Sequence, residues 1–261
     1  MKRFLLLSAC LSTLIIGFYF YYSNILRHAT SVSETFVSHQ TVPATFDGIR
    51  IVHFSDVLIE DETDLLSLEN AIHEINELNP DIVTFTGNLF VQSVVYRDQT
   101  VELLSEINTT IGKVATLGFR DDNETIEVLE AASFTILQSE AIPLFNGTID
   151  SINVIGAHPN MARDQLESLL DDFHIEGAFN VLLINEPTFA SISPDFDIIL
   201  QLSGFCLGSR RNSANCAQFH DGIYQFADIF TLNVNTGMSG GILSSITSRG
   251  PKIDSFLLSA Q

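Results

Sequence analysis

Basic residues are scarce in this 261-residue chain. It contains 12 Lys and Arg residues against 32 Asp and Glu residues, which gives a formal net charge of −20. Three of the basic residues, Lys2, Arg3 and Arg27, precede residue 29, and no acidic residue does, so the rest of the chain is more acidic still. Binding to nucleic acid needs clustered basic groups that displace counterions from phosphates. The composition therefore argues against nucleic acid as a partner.

Cysteine is also rare, with three residues in the chain. Cys10 lies in an apolar N-terminal run, whereas Cys206 and Cys216 either form a disulfide across a short loop or are two free, partly buried thiols. Their spacing alone is compatible with both states. Internal repeats and low-complexity blocks are absent, and 46% hydrophobic with 17% charged residues is typical of a folded protein rather than a disordered one.

The N-terminal run FLLLSACLSTLIIGFYFYY, residues 4–22, is uncharged and mostly apolar. At about 1.5 Å per residue it matches a bilayer core of roughly 30 Å. With Lys2 and Arg3 in front of it, the positive-inside rule predicts a single-pass membrane helix with an extracytoplasmic C-terminal domain. A cleaved signal peptide is the alternative. The predicted organisation is a membrane anchor over 1–28, a linker or edge strand over 29–45, and one domain over 46–261.

Apolar periodicity beyond residue 46 alternates between strands and helices. Strands at 49–54, 81–87 and 113–118 are separated by helices at 64–78 and 100–107, and this βαβαβ pattern implies parallel strands covered by helices. The second half adds helices at 123–132 and 163–173 and further strands at 134–137, 142–145, 152–156, 181–184, 196–202 and 253–258. We predict an α/β fold in which two mixed β-sheets pack as a sandwich flanked by helices, a four-layer αββα arrangement.

Five of the predicted strands end in short turns. The turns are SDVL at 55–58, TGNL at 86–89, LGFRDD at 117–122, NEP at 185–187 and SGFCLGS at 203–209. Because ligands and catalytic groups of open α/β sheets gather at the carboxyl ends of strands, we expect these turns to meet at one rim.

The order and framing of these turns resemble the calcineurin-like metallophosphoesterases, in particular their membrane-anchored bacterial branch. The resemblance rests on the frames FDGIRIVHFSD, LNPDIVTFTGN and IILQLSG, then GIY and a C-terminal RGPKI. The family's strand ends read D-x-H, G-D, G-N-H-D, H-x-P and G-H-x-H-G. The resemblance implies a site for two divalent metals such as Mn, Fe or Zn, which activate a hydroxide for attack on phosphorus.

The family's metal ligands are mostly replaced in this chain. Asp56 keeps the first aspartate, and Asp121 is the unchanged aspartate of G-N-H-D. Asn88 stands in place of the bridging aspartate, and Asn185 in place of a ligand histidine. The other positions carry side chains that do not ligate the ions, namely Leu58, Phe119, Phe205 and Leu207, and Arg120 replaces the histidine expected to protonate the leaving group.

These replacements predict the loss of the dinuclear site, because an amide brings no charge to bridge two dications and Leu and Phe offer no ligand atom. We therefore expect no metal cofactor and a membrane-anchored homologue that binds or scaffolds rather than hydrolyses. The alternative is an active metal-dependent phosphoesterase, acting on phosphodiesters or lipid-linked phosphates through an atypical site.

Other residues supply competing hypotheses for the same rim. Arg120, Arg210 and Arg211 lie on the former active-site turns, where they either bind a phosphate or carboxylate or form ion pairs with Asp56 and Asp121. A rebuilt metal site would use His53, Asp56, Asp121 and Asp122. The acidic run 60–64 is either a loose calcium site or the solvated start of a helix.

Overall fold

The computed structural model describes residues 2–21, 30–91, 96–187, 190–205, 219, 221–226, 229–238 and 251–261. The helices in these ranges are α1 (Lys2–Tyr21), α2 (Glu62–Glu77), α3 (Arg97–Ser105), α4 (Asn123–Ala131) and α5 (Arg163–Phe173). The strands are β1 (Ser31–His39), β2 (Arg50–Phe54), β3 (Ile82–Phe85), β4 (Gly112–Thr116), β5 (Phe134–Leu137), β6 (Glu140–Phe145), β7 (Ser151–Gly156), β8 (Asn180–Ile184), β9 (Ile198–Ser203), β10 (Gly222–Phe226), β11 (Phe230–Val234) and β12 (Lys252–Ala260). Short 3₁₀ segments lie at Ala44–Phe46 and Ala190–Phe196.

The strands form two mixed sheets. Sheet 1 has the order β1-β12-β2-β3-β4-β5, in which only the β12 to β2 pairing is antiparallel. Sheet 2 has the order β10-β11-β9-β8-β7-β6, with parallel strands inside and an antiparallel strand at each edge. Strands β2, β3, β4 and β5 are parallel neighbours in chain order, as the βαβαβ pattern predicts.

Apolar side chains form three layers of core. In β2, Ile51 points into the layer between the sheets, while Val52 and Phe54 pack toward α2, α3 and α4. A third cluster joins sheet 2 to α5 through residues such as Leu182 and Leu166. Successive residues of a strand face opposite sides, so a strand buried on both faces can supply two layers at once. The predicted four-layer αββα architecture is confirmed.

Helix α2 shows how local sequence sets an element boundary. The carboxylate of Asp61 accepts hydrogen bonds from the backbone N–H groups of Thr63 and Asp64, and Asp64 accepts from the N–H of Glu60 and Asp61, which is a capping box. The helix then ends at Glu77 with Leu78 as its C-cap residue, directly before Asn79 and Pro80. Because the acidic run is engaged in capping, its contacts fit a helix start rather than a calcium site.

Residues 29–45, predicted as a linker or an edge strand, contain β1 at the edge of sheet 1. β1 pairs with β12 in parallel over its whole length, from Ser31 opposite Lys252 to His39 opposite Ala260. Val37 is buried between the sheets, so this strand contributes to the core of the domain.

The predicted membrane anchor is not supported, and the assignment of a single-pass protein with a C-terminal domain outside the membrane is wrong on this finding. The N-terminal segment does form helix α1, Lys2–Tyr21. A span needs about 20 consecutive, predominantly apolar residues to cover the hydrocarbon core. Within the described residues, no helix is both long enough and apolar enough to meet that requirement.

Candidate functional site

The described strand ends of both sheets meet at one rim, as expected from parallel strands. Asp56 follows β2, Asn88 follows β3, and Asn185 follows β8 of the other sheet. The sheets are joined there by a hydrogen bond from Asn185 Nδ2 to the carbonyl oxygen of Thr86 at 2.7 Å, while within sheet 2 the N–H of Gly204 donates to the carbonyl of Asn185 at 2.9 Å. Where the structure describes these turns, including residues 203–205 of the last one, they lie together as the sequence predicted.

Asn88 occupies the centre of the rim and is completely buried. Its side-chain nitrogen donates to Asp56 Oδ1 at 2.7 Å and to Asn185 Oδ1 at 3.3 Å. Its side-chain oxygen accepts from the backbone N–H of Arg120 at 3.2 Å. The residue has a φ of +61°, a left-handed conformation that asparagine and aspartate tolerate better than most residues.

The carboxyl group of Asp56 is also fully buried. Oδ1 accepts from Asn88, and Oδ2 accepts from Ser55 Oγ at 2.8 Å. Burial raises the pKa of Asp56 to about 7, and hydrogen bonds from Asn88, Ser55 and the backbone of Phe205 offset part of that effect. Protonation of this carboxyl is therefore favoured at higher pH than for an aspartate in water.

Asp121 fixes the shape of the neighbouring turns instead of facing a ligand. Its Oδ2 accepts from the backbone N–H groups of Asn88 and Gly118, both at 2.7 Å, and its Oδ1 accepts from Leu89 N at 2.9 Å. Burial raises its pKa to about 6 although these three bonds favour the ionised form. These three backbone N–H groups therefore already have an acceptor within the protein, the carboxylate of Asp121.

Close backbone approach makes glycine necessary at two points of the rim. A Cβ at Gly118 would lie 2.4 Å from Asn88 Oδ1, and a Cβ at Gly204 would lie 2.2 Å from Asp56 Oδ2. Neither distance is compatible with a non-bonded contact, so both positions require glycine as long as the two polar side chains stay where they are.

The apolar replacements keep their places at the rim without offering a ligand. Leu58 has a φ of +55° and its N–H donates to the carbonyl of Asn88 at 3.1 Å. Phe205 is half-buried and packs against the core cluster of sheet 2. Phe119 is half-buried, with the guanidinium carbon of Arg120 5.7 Å from its ring centre.

Arg120 is exposed, and its Nη1 donates to the carbonyl of Val91 at 3.3 Å. Among the ion pairs of the described residues, none joins Arg120 to Asp56 or Asp121. The other residues of this hypothesis, Arg210 and Arg211, lie outside the described residues, as do Leu207 and the two cysteines Cys206 and Cys216, for which a disulfide and free thiols were both left open.

The four residues of the rebuilt-site hypothesis have separate contacts. The ring of buried His53 lies between the sheets, 3.1 Å from Thr84 Oγ1 and 3.4 Å from the carbonyl of Ser203, and burial lowers its pKa to about 4. Asp122 caps α4 by accepting from the backbone of Glu124 and Thr125. In the described part of the chain, no group of three or more His, Cys, Asp or Glu side chains is arranged to hold a metal ion.

The donor set at the rim does not fit the two ions that the resemblance implies. The Asn88 amide directs N–H groups at the oxygens of Asp56 and Asn185, the atoms that would have to face a cation. A hydrogen-bond donor and a cation exclude each other at the same oxygen lone pair, and the surrounding Leu and Phe side chains add no ligand.

A second buried polar network, which sequence reasoning missed, extends from the rim toward β12. Asp254 is fully buried, is paired with Lys252 Nζ at 2.9 Å and accepts from the side chain of Ser33. Its Oδ2 accepts from Nδ2 of Asn233 and of Asn235, each at 2.8 Å. The alternation Asn-Val-Asn over 233–235, at the end of the apolar strand β11 and just after it, is the sequence signal for this face.

Asn235 links this network to the rim. Its Oδ1 accepts from Gly237 N at 2.8 Å and lies 3.2 Å from Ser55 Oγ, whose single hydrogen is shared with the closer Asp56 carboxylate. Ser55 Oγ also lies 2.8 Å from the Asp56 carboxylate, so buried polar groups run without a break from Asp254 to Asn88.

Comparison with known proteins places metallophosphoesterases among the relatives of this chain. It is 28% identical over 206 residues to a Bacillus subtilis protein named uncharacterized metallophosphoesterase YkuE, covering 74% of this chain and 70% of that one. It is 25% identical over 134 residues to an uncharacterized metallophosphoesterase of Aquifex aeolicus, covering 48% of this chain and 49% of that one. A Danio rerio transmembrane protein with metallophosphoesterase domain is 26% identical over 183 residues, covering 63% and 41% respectively.

No family model matches the chain. Among solved structures, TT1561 of Thermus thermophilus aligns with a TM-score of 0.49 at 12% identity, over 72% of this chain and 89% of that one. GAP50, the anchor in the inner membrane complex of Plasmodium, aligns with a TM-score of 0.48 at 11% identity, over 74% and 72%. The support for the family therefore comes from the named sequence relatives.

Proposed function

We propose that this chain is a metallophosphoesterase homologue that has lost its dinuclear metal site, does not hydrolyse phosphoesters, and acts as a binding or scaffold protein. The named relatives support a phosphoesterase-like family. The loss of metals and of hydrolysis is inferred from the chemistry of the rim.

One observation carries the proposal: the side-chain amide nitrogen of Asn88 lies 2.7 Å from Asp56 Oδ1 and 3.3 Å from Asn185 Oδ1. In the family pattern the residue at position 88 would be an aspartate that bridges two cations. Here the same position donates hydrogen bonds to the neighbouring ligand positions, and it is fully buried. A metal ion would have to displace this amide and leave its N–H groups without acceptors, which costs about 1–3 kcal/mol for each buried group.

The residue at the proton-donor position supports the same conclusion. General acid catalysis by a side chain works best when its pKa lies near the working pH, whereas a guanidinium stays protonated well above neutral pH. Arg120 therefore offers a fixed charge but no proton for a leaving group.

A metal and turnover assay on the full-length protein tests the proposal. We expect purification without chelators to yield no stoichiometric Mn, Fe or Zn by mass spectrometry, and no hydrolysis of bis(p-nitrophenyl) phosphate above the buffer rate with added Mn²⁺. Asp56→Ala is the matched control, because it removes the retained carboxylate. Turnover that exceeds the buffer rate and disappears in Asp56→Ala would establish the alternative, an active phosphoesterase with an atypical site.

A second candidate function is anion binding by Arg120, favoured by the exposure of its guanidinium beside the rim. The neighbouring backbone N–H groups of Asn88, Leu89 and Gly118 already donate to Asp121, so an anion would be held by the arginine side chain. Inorganic phosphate should then raise the melting temperature of the parent protein and not that of Arg120→Ala. Equal melting temperatures of the parent with and without phosphate would eliminate this function.

A further inference from the structure

A hydrogen-bonded cross-link joins the two sheets at the rim. Asn88 belongs to the loop after β3 in sheet 1, and Asn185 to the loop after β8 in sheet 2. The Asn88 side-chain nitrogen donates to Asp56 Oδ1 and Asn185 Oδ1, and Asn185 Nδ2 donates back to the carbonyl of Thr86 at 2.7 Å. The Asn88 side chain of sheet 1 is therefore bonded to sheet 2, and the Asn185 side chain of sheet 2 is bonded to sheet 1.

The polar atoms of Asn88 are all engaged. Besides the two side-chain bonds from its nitrogen, its oxygen accepts from Arg120 N at 3.2 Å, and its backbone N–H donates to Asp121 Oδ2 at 2.7 Å. Asn88 and Asp56 are completely buried, and Asn185 is 2% exposed. Buried hydrogen bonds of this kind are strong when every partner is present, and removing one member leaves the others unsatisfied.

We infer that the Asn88 side chain is a substitute cross-link, which ties the ends of β2, β3 and β8 together by hydrogen bonds where metal ions would tie them by coordination. The inference rests on the proposed function, because it assumes that no ion occupies the rim. It goes further by assigning Asn88 a role in the stability of this chain.

The choice of amide over carboxylate at this position follows from charge. Aspartate has nearly the same shape and tolerates the same left-handed backbone, but at position 88 it would put a second carboxylate against Asp56 Oδ1. Two unscreened buried carboxylates repel each other, and each loses the donor that satisfied it. A carboxylate at this position therefore requires a cation or a proton shared with Asp56, whereas an amide requires neither.

Melting temperatures of four full-length variants in excess EDTA, at about pH 8 so that carboxyls are mainly ionised, test the inference. Asn88→Asp introduces the second carboxylate, and Asn88→Gly removes the amide while keeping the positive φ. The double variant Asp56→Asn with Asn88→Asp exchanges donor and acceptor. Asn123→Asp adds the same charge at the exposed first residue of α4 and is the control.

We expect Asn88→Asp to lower the melting temperature by about 10 °C and Asn88→Gly by about 5 °C, with Asn123→Asp close to the parent. The exchanged pair should recover at least half of the loss seen in Asn88→Asp. If Asn88→Asp does not fold, the melting temperatures of Asn88→Gly and of the exchanged pair are compared instead. An exchanged pair at least as stable as Asn88→Gly supports the cross-link, and a less stable one contradicts it.

Two results would overturn the cross-link: a melting temperature of Asn88→Asp and Asn88→Gly equal to that of the parent, or an exchanged pair as unstable as Asn88→Asp. A different result bears on the proposed function alone. If Mn²⁺ raises the melting temperature of the parent protein above its value in EDTA, the rim binds metal and the proposed function fails, while the losses measured in EDTA still report on Asn88.

Discussion

The buried carboxyl of Asp56 should make this protein less stable as the pH rises from about 4 to about 7. Burial raises its pKa from the usual 3.8 to about 7 in the folded protein. In the unfolded chain the group is in water and keeps its ordinary pKa. Between these two values the folded state binds the proton and the unfolded state does not, so each step up in pH favours unfolding.

The size of the effect follows from the same two values. A difference of one pKa unit corresponds to about 1.4 kcal/mol, so the shift of Asp56 amounts to roughly 4 kcal/mol across the whole window. The pKa of Asp121 is raised to about 6 by burial and acts in the same direction over a shorter window. Burial alone would raise the pKa of Asp254 too, but pairing with Lys252 and several hydrogen bonds outweigh it and lower that pKa, so its stabilising effect is lost only below the ordinary carboxyl range.

Urea unfolding of the parent and of Asp56→Asn at several pH values between about 4 and 8 measures this contribution. His53, whose pKa is lowered to about 4 by burial, opposes this trend below its ordinary pKa of 6.5, so the test is the difference between the two proteins: the free energy of unfolding of Asp56→Asn should fall with pH by about 4 kcal/mol less than that of the parent. Asp171→Asn, at an exposed position of α5, removes one charge without touching the rim. A pH dependence that is the same in Asp56→Asn and in the parent would refute the assignment of a buried, proton-binding carboxyl.

Two further substitutions test the packing of the rim and of the β12 network. Gly118→Ala would place a Cβ 2.4 Å from Asn88 Oδ1 and should lower the free energy of unfolding in urea by about 1–3 kcal/mol. The control is Gly112→Ala, where a Cβ meets nothing within 4 Å, and its loss should be well under 1 kcal/mol. Similar losses in the two variants would contradict the close approach at Gly118. Lys252→Met leaves the buried carboxylate of Asp254 without its cation, so we expect a loss of about 3 kcal/mol that largely disappears when Asp254→Asn is added; additive losses would contradict the pairing.

Local patterns predicted most of the fold because the spacing of apolar residues differs between strands and helices. The helix predicted at 163–173 coincides with α5, and the helix predicted at 64–78 starts two residues earlier, at the position that the Asp61 cap selects. The position of β12 between β1 and β2 was out of reach, because no local signal specifies a partner some 200 residues away. Lys252 and Asp254 lie two residues apart on one face of β12, but the link from Asp254 to Asn233 depends on how β12 is placed against β11 and was not predicted.

The rim was predicted as a meeting of turns but not as a set of bonds. Parallel pairing of β2 and β3 places Asp56 beside Asn88, and the packing of the two sheets against each other brings Asn185 to them. The partners of the charged groups depend on backbone orientation instead: Asp121 accepts backbone N–H groups, and Arg120 turns outward to Val91. Hydropathy gave the wrong result for the N-terminal segment, since no described helix qualifies as a membrane span.

The backbone of the rim explains how a site can lose its ligands and keep its shape. The N–H of Asp56 donates to the carbonyl of Gly87, the N–H of Leu58 to the carbonyl of Asn88, and the N–H of Met238 to the carbonyl of Asp56. None of these bonds involves a side chain, so they are compatible with leucine at position 58, where the family resemblance implies a histidine, even with a φ of +55°. The frame thus depends on backbone bonds and glycine spacing, whereas catalysis depends on side chains that vary independently of it. Similarity of the frame therefore supports a common fold and family, and hydrolysis has to be judged from the side chains at the rim, of which Asn88 is the most informative.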